Sequence, residues 1–298
     1  MGSQLVKAKA INNKAWFFLI PAILLLGFVA VFPLIKVVEH SLHDVFYQKS
    51  VWVGLEFYEE ILFSTRFWQT FGRSLIYSCL ILLIQIPLGI AIALSMPRRG
   101  VWVAVCLVSM SLPLLVPWTM IPIIWHTFLD ILEKLLLIIG VHFDWKLNAF
   151  HTWIALLLMD TWHWTSLVVL LCYSSLTTIP AAYYHTAAID GASRWNVFRY
   201  VELPKMRGVL MMAVLLRFMD SFMVYTEPYL LNSGGPRRTT MFLGIELGED
   251  VLSFNYSPAA ARSVIYFIII VTISMIFKKA FTAQKSEDKY MKVTETNR

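Results

Sequence analysis

The chain has 298 residues, 58% of them hydrophobic and only 15% charged, with a mean hydropathy of +0.65. A soluble domain carries about 25% charged residues, so the composition excludes an ordinary water-soluble enzyme. The net charge of +6 comes without a basic stripe, a zinc pattern or basic–aromatic interleaving, which excludes a nucleic-acid partner.

The start, "MGSQLVKAKAINNK", is polar and basic, and the apolar run behind it is long enough to span a bilayer. That pattern predicts a retained signal anchor, and Val6 breaks the myristoylation pattern that would begin at Gly2. The first span is expected at 16–37, with Pro21 and Pro33 near its ends, and the second at 71–96. After only "PRRG" a third span is expected at 101–125. The stretch 130–141 is too short to cross, so it reads as an interfacial or re-entrant helix. The fourth, fifth and sixth spans are expected at 153–176, 209–229 and 259–277. Cys79, Cys106 and Cys172 lie within these runs without metal-ligand spacing, so no metal site is expected. The class is an all-α polytopic membrane protein with six transmembrane helices.

Lys and Arg cluster at 7–14, at 98–99, across 194–207 and at 278–279, while most acidic residues fall in the alternate loops. The positive-inside rule therefore places all four clusters and both termini in the cytoplasm. Arg237 and Arg238 run against this pattern but are outnumbered.

Between the fourth and fifth spans lies a polar insert, "AAIDGASRWNVFRYVELPKMRG", residues 187–208. "TTIP" supplies a cap and a proline, and "AAYYHTAAIDGAS" forms a short helix broken at Gly191. Ser193 can cap a second helix, on which Trp195, Phe198 and Val201 or Glu202 recur at helical spacing and which Pro204 is expected to terminate. Two short helices bent at a glycine suit a groove in a soluble partner; an amphipathic linker has the same residue pattern.

The insert resembles the EAA loop of binding-protein-dependent ABC importer permeases. Ala187, Asp190, Gly191, Ala192, Phe198, Leu203 and Pro204 carry the match, while His185 and Thr186 depart from the usual glutamate and alanine. A neutral His185 can hydrogen-bond but cannot supply a carboxylate's salt bridge. "LLNSGGPRRTTMFLGIEL" and "FNYSPAAARSVIYFIII" further resemble the carbohydrate-type permeases, through Gly234, Gly235, Pro236, Thr240, Asn255, Tyr256, Ala259 and Ala261. The resemblance covers nearly the whole chain, residues 1–298 as one permease domain, and implies the type I importer fold in a bacterial inner membrane. It implies a coupling role for 187–208 together with His185. Its implied partners are two ATP-binding subunits that use Mg-ATP, a second, non-identical permease and an extracytoplasmic solute-binding protein. The implied solute is a sugar or small polyol, with no cofactor held by this chain.

Ionisable groups inside spans are costly and are expected to face an interior or a pathway. Asp160 and His163, with Trp162 and Trp164 beside them, sit in the fourth span, and Arg217 and Asp220 share one face of the fifth. Arg217 and Asp220 could brace the bundle as an ion pair or line the solute path; the fourth-span group could be aromatic core packing or a surface whose rings and polar groups suit a sugar. Tyr225, Glu227, Tyr229, Asn232 and Arg262 are candidates for an outer vestibule; Gln85 and Ser78 are expected to join helices. No GxxxxGK[ST], HExxH or nucleophile elbow is present, so the chain is not expected to be an enzyme. An ion- or proton-coupled secondary transporter and a non-transport scaffold are the competing classes.

Overall fold

The computed structural model describes residues 15–46 and 49–296, with side chains over 17–45 and 50–279. Lys7, Lys9 and Lys14, which contribute to the expected orientation, lie outside the described residues.

A backbone in hydrocarbon must satisfy its own hydrogen bonds, and the long apolar runs accordingly form helices. Helices α1 (Ala15–Leu26) and α2 (Phe32–Ser41) join through a π-turn, Gly27–Val31, into one apolar rod. The second half of that rod, α2, packs against the last helix, α13 (Tyr256–Thr296). A short antiparallel hairpin follows, β1 (His43–Phe46) with β2 (Lys49–Trp52), pairing His43 with Trp52. Helix α3 (Glu56–Phe63) then leads to α4 (Thr65–Ser95), whose first turn is capped by the Ser64 hydroxyl accepting from the Phe67 amide.

The next apolar stretch departs from expectation. Helix α5 (Val101–Leu115) and helix α6 (Met120–Ile138) meet at a bend of 102°, so 101–125 is not one straight span. Val116 adopts an extended conformation before Pro117, which has no amide hydrogen to continue the ladder. The stretch expected as a separate interfacial or re-entrant helix at 130–141 does not stand alone: 130–138 is the second half of α6, and the bent pair it belongs to has the form of a broken span or a re-entrant loop. Five helical segments among the described residues are long and apolar enough to cross a membrane, and the count is six if the bent pair is one span.

Helix α7 (Ala149–Thr177), capped by Asn148, is the centre of the bundle and packs against α4, α5 and α10. Helix α8 (Ala181–Ile189) and the single turn α9 (Arg194–Val197) flank Gly191. A second π-turn, Phe198–Glu202, runs directly into α10 (Leu203–Phe222). Pro204 therefore begins a helix here and does not terminate one. Its missing amide hydrogen removes the bond to the preceding turn, and the wider π register, with Leu203 donating to the Phe198 carbonyl, absorbs that gap.

The fifth expected span is also interrupted. Helix α10 stops at Phe222 and α11 (Thr226–Asn232) restarts after a break, before a 3₁₀ turn at Pro236–Arg238 and helix α12 (Leu243–Leu252). Gly244 of α12 lies directly on the break: a Cβ there would stand 2.7 Å from the Met223 and Val224 carbonyl oxygens. Three apolar clusters fill the bundle, with Tyr77, Leu129 and Leu156 in one, Val168, Cys172 and Met206 in another, and Phe67, Phe222 and Tyr266 in the third.

Candidate functional site

Three polar constellations interrupt this apolar bundle, one at each end and one near its middle. The first is the bent insert. Gly191 has φ of +63°, a left-handed conformation that costs a residue with a Cβ about 1–2 kcal/mol. The amide of Ala192 closes the turn on the Ala187 carbonyl, and the Ser193 hydroxyl caps α9 by accepting from Asn196. Asp190 is exposed, as are His185 and Gly191, while Ala187 and Ala192 are half-buried. Ile189 at the tip is 86% exposed and Trp195 64%, an apolar presentation that no neighbouring part of the chain covers. Phe198 and Leu203 turn inward, half-buried, and Trp195 packs against Phe198 at 5.4 Å.

The root of this insert is held by Glu202, which the sequence reading left as an ordinary helix position. Glu202 is completely buried, and its carboxylate accepts from Arg98 at 2.9 Å and from Arg194 at 2.6 Å. The Tyr184 hydroxyl donates to the same carboxylate at 3.3 Å, and Arg98 lies 4.5 Å above the Tyr184 ring. Burial pushes the Tyr184 phenol upward, so it remains a neutral donor.

The second constellation lies midway along the bundle and joins α4, α7 and α10. Arg217 is 1% exposed and every part of its fork is occupied: Nε donates to Gln85, Nη1 to Asp220 and Nη2 to Asp160. Gln85 in turn donates to the side chain and the carbonyl of Asp160, and Tyr77 donates to the same carboxylate at 3.3 Å. The Trp164 ring covers the guanidinium at 4.6 Å. Asp160 is buried with Arg217, but Asp220 keeps 37% of its side chain exposed. Of the residues expected to line a solute path, Asp160, Trp164, Arg217 and Asp220 thus converge. His163 is buried against Trp164 at 4.8 Å with its Nδ1 unpaired, whereas Trp162 turns toward Trp125. His163 is not a partner of Asp160 despite their spacing.

The third constellation sits at the end opposite the bent insert. Glu246 of α12 is buried and pairs with Arg66 at 2.6 Å and Arg262 at 3.1 Å, while Arg262 also donates to Asp250 at 2.7 Å. Arg238 and Arg66 both reach Glu249. Arg262, 11% exposed, is fixed inside this cluster and does not reach for headgroups. Tyr225 and Tyr229 stack at 5.0 Å on the break between α10 and α11; Glu227 is buried beside them, and the Asn232 amide is buried without a partner.

A bundle of long apolar helices with an exposed bent insert at one end and an ion network inside defines a multi-pass helical membrane protein. Residues 85–285 match the model of the binding-protein-dependent transport system inner membrane component, and the chain belongs to that family. It is similar to the trehalose/maltose transport system permease protein MalF of Thermococcus litoralis, 26% identical over 85% of this chain and 92% of that protein. The diacetylchitobiose uptake system permease protein DasB of Streptomyces coelicolor is also 26% identical, over 80% of this chain and 75% of its own length. The sulfoquinovosyl glycerol transport system permease protein SmoG of Agrobacterium fabrum is 24% identical over 88% of each chain. Among solved structures, a chain of a bacterial ABC transporter involved in the import of the acidic polysaccharide alginate superposes with a TM-score of 0.77 at 19% identity. It covers 91% of this chain and 95% of its own. That likeness establishes the type I importer permease fold.

Proposed function

We propose that this chain is the permease subunit of an ATP-driven importer for a sugar or small polyol, with hydrolysis carried by separate subunits. The observation that carries the proposal is the path from the bent insert to the interior. Its tip presents Ile189 and Asp190, its bend is set by Gly191, and its second arm continues as one helix to Arg217. Motion of the tip is thereby carried to the network that joins α4, α7 and α10.

In this reading 187–208 faces the cytoplasm and inserts into an ATP-binding subunit, two of which use Mg-ATP. Both termini are cytoplasmic, supported by Arg98, Arg99 and the basic residues of 194–207 at one end of the bundle. A second, non-identical permease completes the pathway. A solute-binding protein delivers to the opposite face; the alginate importer has been solved with a periplasmic protein carrying an alginate pentasaccharide. The curated relatives transport or take up trehalose/maltose, diacetylchitobiose and sulfoquinovosyl glycerol, which supports a carbohydrate class. A neutral solute is favoured because Arg217 and Arg262 are both committed to carboxylates.

The test is uptake by the complete importer in proteoliposomes, using radiolabelled maltose, trehalose and glycerol. Accumulation of one of these that needs internal ATP and survives collapse of the proton gradient supports the proposal. Uptake that follows the proton gradient without ATP identifies a secondary transporter. Transport of an amino acid or metal with no sugar or polyol response overturns the substrate class.

A further inference from the structure

Glu202 joins three separate segments, and its geometry has a local cause. Arg194 and Glu202 are eight residues apart, about 2.2 turns of a regular α-helix, which would set their side chains roughly 80° apart. The intervening π-turn, Phe198–Glu202, takes up about one extra residue, which brings the two onto nearly the same face. Pro204 favours that wider turn because it cannot donate to the preceding turn. The carboxylate so placed also meets Arg98, which belongs to the turn between α4 and α5 and is held there by the Tyr173 hydroxyl donating to the Pro97 carbonyl at 2.7 Å.

We propose that Glu202 is a positioning residue, an ion latch that fastens the coupling insert to the α4–α5 turn so that both move as one body. This rests on the coupling role proposed above. The two arginines keep 41% and 58% of their side chains exposed, whereas Glu202 is 0% exposed. The carboxylate is the hub: without it two guanidinium groups from different segments face each other with no charge between them. A shift of the bent tip is then delivered to α10 through the continuous helix and to α4 and α5 through Arg98. Neither route requires Glu202 to touch solute or nucleotide.

Spin labels at Arg99→Cys and Asn196→Cys, both exposed, report the separation of the two latched segments. The background carries Cys79→Ala, Cys106→Ala and Cys172→Ala. The purified permease complex is expected to give one narrow distance distribution, which broadens in Glu202→Gln. The exchange Arg98→Glu with Glu202→Arg restores an ion pair and is expected to narrow it again, a rescue that loss of packing alone does not produce. Arg98→Gln and Arg194→Gln, altered on exposed side chains, broaden it as well and serve if Glu202→Gln fails to fold. An unchanged distribution in Glu202→Gln, or in both arginine variants where that variant does not fold, overturns the latch; broadening that the exchange does not reverse also overturns it. In the complex with its ATPase, hydrolysis stimulated by the binding protein is expected to fall about tenfold in Glu202→Gln, inside the ~5–150-fold range of typical coupling. Distances that depend on Glu202 with hydrolysis that does not would leave the latch standing and remove the coupling role instead.

Discussion

Replacing Arg217 by methionine isolates what the mid-bundle network contributes. The substitution keeps an unbranched, apolar side chain in the same space but leaves Asp160, 1% exposed, without its counter-charge. Removing one partner of a buried pair destabilises by about 3–5 kcal/mol, because the remaining charge is stranded. Asp220 adds little to that figure: 37% of its side chain is exposed, and pairs at such sites are worth about 0–1 kcal/mol. Gln85 and Tyr77 still donate to Asp160, which keeps the loss within the range and not above it. The double variant Arg217→Met with Asp160→Asn holds no stranded buried charge, so most of the loss is expected to return. Reversible unfolding of the purified permease in mixed micelles measures both. A loss below about 1 kcal/mol in Arg217→Met, or a double variant no more stable than the single, would show that Arg217 does not neutralise Asp160 in the folded bundle.

Gly191→Ala meets no atom within 4 Å, so its cost is the backbone alone, about 1–2 kcal/mol localised to the bend; uptake per ATP is expected to fall while membrane insertion is unchanged. Gly244→Ala sets a Cβ 2.7 Å from two carbonyl oxygens at the α10–α11 break and is expected to destabilise by about 1–3 kcal/mol in the same unfolding assay. Pro204→Ala restores an amide donor, favours the regular α register and rotates Glu202 away from Arg194; hydrolysis stimulated by the binding protein is expected to fall as it does for Glu202→Gln. Reporter tags after Arg99 and Lys205 are expected in the cytoplasm and tags near Phe143 and Gly235 outside; an outside Lys205 tag would invert the orientation.

The apolar runs and the bent insert were legible because each is a local pattern. Gly191 and Ser193 announce a bend and a cap within three residues of each other, and both are where the pattern puts them. Breaks inside apolar runs were harder to see: 101–138 is almost uniformly apolar, so composition gives no cue to a 102° turn at Pro117. Pro204 was misread for the opposite reason, since a proline after a short helix looks like a stop unless a π-turn absorbs it. Of the contacts in the ion network, the Arg217–Asp220 pair, three residues apart, was visible in the sequence, and Asp160 and Gln85 stood out as polar groups within spans but without their partners. Asp160 and Gln85 lie 57 and 132 residues from Arg217, and only packing of α4, α7 and α10 brings them together. Glu202 carried no signal of its own, because its partners Arg98 and Tyr184 come from other segments.

The bent insert is proposed as the surface through which ATP hydrolysis reaches the membrane helices. The most direct measurement is site-specific photocrosslinking from Ile189, 86% exposed at the tip, in the assembled importer. A photoreactive residue there is expected to capture the ATP-binding subunit, with a yield that changes on trapping with ATP and vanadate. The same group at Phe254, 77% exposed at the opposite end, is expected to capture no ATP-binding subunit. Capture from Phe254 and not from Ile189, or from neither in an importer that hydrolyses ATP, would mean that the ATP-binding subunit docks elsewhere than on the bent insert.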